Sequence, residues 1–180
     1  MLTPQDVLSF WFGEASPNQH FTKDNNFDQL IKERFTGLHQ QAAQGECYYW
    51  RQSIHGRLAE IIILDQFSRN MFRDTPQAFN YDGMALILAQ EAIATGEYKH
   101  LGTSELAFLL MPYMHSESKA IHEVALELFS MPGLEDTLAF EVKHKVIIDR
   151  FGRYPHRNNI LGRTSTKEEL LFLQEPDSSF

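Results

Sequence analysis

Apolar positions along the chain recur at three- and four-residue intervals, and the breaks between these runs carry cap and turn residues, so the pattern predicts helices throughout. Thr3 caps a first helix with Pro4 at its first position and Asp6 three residues after the cap; Val7, Leu8, Phe10, Trp11 and Phe12 follow, and Gly13 with Pro17 ends it. A second runs from Asp24 to about Ala43 on Phe27, Leu30, Ile31, Phe35 and Leu38, stopped by Gly45. The third, Ser53 to about Asn70, is apolar on most of its circumference, the mark of a central helix. Thr75-Pro76 starts a short turn, and Asp82 opens a fourth helix that closes at Gly96. Leu106 to Met111 forms a fifth, closed by Pro112. Ser116 caps a sixth, ended by Pro132-Gly133. A seventh spans Leu134 to Phe151 and stops at Gly152. The last, Lys167 to Leu173, has a capping box in either Ser165…Glu168 or Thr166…Glu169. The two short β-like runs, Cys47–Trp50 and Val146–Ile148, sit beside helical patterns. The expected fold is all-α, with about eight helices in antiparallel pairs. They form a single domain over 1–173, followed by a flexible tail over 174–180.

Composition narrows the function. The 180-residue chain carries a net charge of −8, the wrong sign for a protein that grips nucleic acid through its phosphates. Its one cysteine, Cys47, excludes an internal disulfide and a Cys-pair metal motif, and no His spacing of the H-x-x-x-H kind occurs, so neither a metal nor another cofactor is expected. No apolar run is long enough for a membrane span and the start lacks a basic leader, so a place in the reducing cytoplasm is the expectation. Charge is segregated: residues 74–141 hold eleven acids against two lysines, whereas 143–163 hold six basic residues against one acid. Either the two blocks attract each other, or the second is an anion site.

Three segments carry the candidate chemistry. In Leu64–Asn70, Asp65 and Arg69 stand four apart on the face that also carries Leu58, Ile61 and Ile62; such a pair bridges helices in the core or floors a cavity, and Asn70 and Arg73 extend the polar patch. In Arg150–Asn159, a loop made by Gly152 and Pro155, the residues Arg150, Arg153, His156, Arg157 and Asn158 concentrate donors suited to a phosphate or carboxylate. Their alternative work is capping helix ends or pairing with the acidic block. Between the fifth and sixth helices, His115 and Glu117 are candidates for acid–base catalysis, as is His156; Ser116 and Glu117 are also explained by capping.

Several stretches resemble a known family. Val7-Leu8-Ser9-Phe10-Trp11-Phe12-Gly13, Leu64-Asp65-Gln66-Phe67-Ser68-Arg69-Asn70 with Met71-Phe72-Arg73, His115-Ser116-Glu117, and Arg150-Phe151-Gly152-Arg153-Tyr154-Pro155-His156-Arg157-Asn158 followed by Leu161-Gly162-Arg163 are similar, in order, to the bacterial "domain of unknown function" family 924. Ser68 departs from the Pro of many members. The resemblance implies an all-helical, tetratricopeptide-like fold and supplies no activity. It suggests that the three polar segments meet in one cleft. The leading expectation is a binding module that holds an anionic small molecule or peptide there. The alternatives are an enzyme using His as acid or base with Arg stabilising an anion, and a structural scaffold for a protein partner. Oligomeric state is left open.

Overall fold

The computed structural model describes residues 2–179. Among them are nine helices and no strand. Helix α1 begins over Pro4–Ser9 and continues as a π-helical turn over Phe10–Glu14; α2 is Pro17–Phe21 and α3 is Asn25–Ala43. Helix α4 spans 54–71, its α-helical ends Ile54–Ile62 and Ser68–Met71 joined by a π-helical turn over Ile63–Phe67. Then come α5 (Asp82–Ala94), α6 (Thr103–His115), α7 (Lys119–Phe129), α8 (Glu135–Phe151) and α9 (Lys167–Phe172). From α3 onward, each helix through α7 packs on the next, with α4 also against α1 and α6. This succession is compatible with a tetratricopeptide-like arrangement. No helix among the described residues is long and apolar enough to cross a membrane.

Cap chemistry explains most boundaries. Thr3 with Asp6 and Thr166 with Glu169 form reciprocal capping boxes, and the Ser53 hydroxyl accepts from Gly56 N–H. Gly96 and Gly152 follow α5 and α8 at φ of 73° and 70°.

The differences from the sequence pattern are local. Pro17 does not merely end α1: Ser16 and Gln19 form a further capping box and start the short α2. Pro112 does not close the fifth helix, because α6 runs through it to His115. Ala107–Met114 are all buried, and that packing outweighs the one helical hydrogen bond a proline forfeits. Ser116 ends α6 and Ser118 caps α7 instead. Trp11 of the first helix is fully buried.

Helix α4 is the axis of the core. Every residue from 58 to 68 is buried, including Glu60, Asp65 and Gln66. Its start is wedged under the turn Tyr48–Gln52. A Cβ on Gly56 would lie 1.9 Å from the Trp50 carbonyl oxygen. Gly to Ala inside a helix ordinarily stabilises; here Gly56→Ala is expected to destabilise by about 1–3 kcal/mol, the range for overpacking, in equilibrium unfolding. A neutral or stabilising alanine contradicts the close crossing. A smaller cluster of Ile147, Ile148, Tyr154 and Phe172 docks α8, the loop after it and α9.

Candidate functional site

The centre of the polar arrangement is Asp65, inside the π-helical turn of α4, a break in regular geometry of the kind often found at functional positions. Its side chain is 1% exposed. It accepts from Gln66 Nε2 at 2.6 Å, from Arg69 Nη1 at 3.0 Å and from His115 Nδ1 at 2.7 Å. A carboxylate only accepts, so the imidazole proton sits on Nδ1 and Nε2 carries the lone pair. Among the described residues nothing hydrogen-bonds to Nε2.

Arg69 turns from Asp65 to Asp82, at the start of α5, and donates to both its oxygens at 2.8 and 3.0 Å. Arg157 reaches the same carboxylate at 3.4 Å and gives its other Nη to the His115 carbonyl at 3.0 Å. The Arg157 guanidinium lies between the rings of Phe79 and Tyr154, 4.6 and 4.7 Å from their centroids. Two carboxylates thus face two guanidiniums around one imidazole. Side chains of Arg69, Asp82 and His115 keep 16–19% exposure, so this is the rim of the site and Asp65 its floor.

Burial alone would raise the Asp65 pKa, but the charge that the His115 imidazole carries once acid protonates it and the charge of Arg69 outweigh burial and hold the carboxyl down to about 2. Burial and the Arg69 charge push the His115 imidazole below its ordinary value, against the pull of Asp65. At neutral pH the pair is therefore an ionised carboxylate beside a neutral imidazole. Burial opposes the charge on Arg69, yet Asp82 and Asp65 raise its pKa.

The end of α6 is held from outside. The Tyr154 hydroxyl donates to the Met114 carbonyl at 2.5 Å, Arg157 binds the His115 carbonyl, and His122 Nε2 binds the Ser116 carbonyl at 2.8 Å. Side chains from α7 and the loop after α8 thereby satisfy carbonyls at a helix terminus that has no intrahelical partners of its own, and fix the backbone that carries His115. His122 Nδ1 meets Glu141 at 2.6 Å, both fully buried, and burial raises the Glu141 pKa.

The structure brings Asp65, Arg69, His115 and Arg157 together. Glu117 stands one step away, paired twice with Arg163 at 2.7 and 2.9 Å and accepting the Tyr154 N–H. The His156 ring lies 5.5 Å from that of Tyr154, and burial, then Arg157, push its pKa down to about 4. The other candidates lie elsewhere. Asn70 and Arg73 turn to Asp28 of α3 and border a hollow of about 220 Å³ with Lys23, Lys32 and Asp74. Arg153 and Asn158 bind Glu169, and Arg150 binds Glu168, fastening α9. A larger hollow of about 580 Å³, lined by Leu2, Pro4, Tyr49 and Trp50, touches none of these groups.

Asp82, Phe79, Tyr154 and Arg163 belong to the arrangement without having been singled out from sequence. For Asp82 and Arg163 the segregation of charge is the signal: Arg157–Asp82 and Arg163–Glu117 each join the basic block to the acidic one.

The structure of a protein of unknown function, ATU0120, from Agrobacterium tumefaciens aligns with a TM-score of 0.89 and 36% identity over 95% of this chain and 96% of that one. No curated protein matches. The family described as bacterial protein of unknown function (DUF924) matches residues 7–177. The chain accordingly belongs to the DUF924 family.

Proposed function

We propose that the chain binds a small anionic molecule beside the Asp65–His115 pair and that His115 moves a proton on it. The observation that carries this reading is the 2.7 Å bond from His115 Nδ1 to a buried, ionised Asp65, which fixes the tautomer and leaves Nε2 as a base on the accessible side. Arg69 and Arg157 supply positive charge for an oxyanion on the bound molecule. No hydroxyl or thiol hydrogen-bonds to His115 among the described residues, which favours proton transfer to ligand or water over a covalent nucleophile. The sequence reading put binding ahead of catalysis; the oriented imidazole supports a site that does both. A fastening role fits Arg150, Arg153 and Asn158, whose donors all go to the α9 end of the chain. A reducing cytoplasmic setting fits the single, buried Cys47.

The test is thermal unfolding against phosphorylated and carboxylated metabolites, followed by incubation with each one that responds. A ligand at a hundred times its Kd adds about 2.7 kcal/mol of stability. At least one substance is expected to raise the wild-type Tm and be consumed by wild type but not by His115→Gln. If none stabilises the protein and none is consumed, the reading fails.

A further inference from the structure

We infer that Arg69 and Arg157 form the seat for the oxyanion group of the ligand, a carboxylate or a phosphate, and that Asp82 occupies this seat in the free protein. The inference rests on the function proposed for the same site and adds to it a ligand class and a built-in competitor.

Asp82 stands where such a group would stand. Its two oxygens take both Nη atoms of Arg69, the fork geometry by which arginine binds carboxylates and phosphates. It engages Arg157 poorly: the one contact is 3.4 Å, and the buried Arg157 Nε has no acceptor at all. Buried guanidinium donors in a finished structural pair are normally satisfied. The nearest base is at hand, because the Arg69 Nη1 that holds Asp82 also holds the Asp65 oxygen that accepts from His115.

Asp82 also has a way out. It is the first residue of α5, directly after a strap, residues 72–81, that joins α4 to α5 and lays Phe79 over Arg157 and, at 5.6 Å, over Arg69. Asp74 near the start of the strap has a φ of 62°, a strained value for a residue with a side chain. The Asp82 side chain is 18% exposed, so displacement returns it to water. An arriving oxyanion restores the balance of two negative and two positive groups, and no buried charge is left unpaired in the exchange. A tethered carboxylate competes at an effective concentration of about millimolar or more, so free anions bind the wild type weakly.

Calorimetric titration of wild type and Asp82→Asn with malonate and with inorganic phosphate tests this. Asp82→Asn is expected to bind at least one of the two anions tenfold or more tightly than wild type. Preference for malonate assigns the seat to a carboxylate, and preference for phosphate to a phosphoryl group. Asp74→Asn removes the same charge from the strap's exposed start and is expected to leave both affinities unchanged. An equal gain there, or no gain in Asp82→Asn, overturns the inference. If Asp82→Asn does not fold, Asp82→Ser, which suits a helix start, carries the same comparison. Consumption of a metabolite dependent on His115 would survive failure of this test, which separates it from failure of the proposed function.

Discussion

Replacing Asp65 by alanine is expected to remove about 3–5 kcal/mol of stability, seen as a urea midpoint lower by roughly 1–2 M. Three donors converge on that carboxylate from Gln66, Arg69 and His115, and the group is sealed between α4 and α6. Its removal strands the His115 Nδ1–H and the Gln66 amide away from water, and leaves Arg69 with Asp82 as its one carboxylate. The loss is thus mainly unsatisfied polar groups, with a smaller contribution from the cavity. Asp74→Asn, which keeps a side chain suited to the left-handed backbone there, is the control. Asp74 pairs with Lys23 at 2.7 Å, as short as the bond from His115 to Asp65, but the two side chains are 69% and 58% exposed. Such a pair contributes about 0–1 kcal/mol. Burial, not bond length, makes the difference. Equal, small losses from the two variants would show that Asp65 is better hydrated or more easily replaced than the geometry implies.

Legibility from sequence followed the range of each interaction. The Asp65–Arg69 pair was readable because four residues on a helix make a fixed distance, and the π-helical turn around Asp65 did not break it. Helix starts at Thr3 and Ser53 are readable because a cap is satisfied within three residues, and the last one is readable to within a residue, Ser165 or Thr166, of which the structure uses Thr166. Pro112 was misread because local propensity speaks against helix while tertiary burial decides for it. Asp82 looked like a simple helix opener, since nothing within its own turn announces a partner thirteen residues back or seventy-five ahead. The loop 150–159 was recognised as dense in chemistry, but its residues divide three ways: Arg157 to the site, Tyr154 to the α6 terminus, and Arg153 with Asn158 to α9. Composition alone carries no information on that division, because each destination is set by a partner far away in sequence or beyond the loop itself.

Acid is expected to unfold the protein well above the carboxylate range, through histidines kept neutral. Burial drives the His144 pKa down to about 3, and its Nδ1–H is committed to the Phe140 carbonyl at 2.7 Å; His156 is driven to about 4 by burial and by Arg157. An imidazole whose pKa is depressed by folding takes its proton first in the unfolded chain. The stability it provides is complete above the ordinary value near 6.5 and drains away as pH falls toward the folded value. Each such group costs about 1.4 kcal/mol per pH unit in that window, so His144 and His156 together cost roughly 3 kcal/mol per unit between pH 6 and 4. His115, His20 and His39, also lowered chiefly by burial, act in the same direction. Glu141 opposes them, because burial raises its pKa and the folded state gains that proton first, but it is one group against several. Asp65 and Glu169, each held down to about 2, add their loss only below about pH 4. Urea midpoints should therefore fall steeply from pH 7 to pH 5. His144→Asn, whose amide nitrogen stands near the Nδ1 position and can still donate to Phe140, should flatten the slope by about 1.4 kcal/mol per pH unit. A midpoint that stays level from pH 7 to pH 5 would mean these imidazoles accept protons without unfolding, and that water reaches them in the native state.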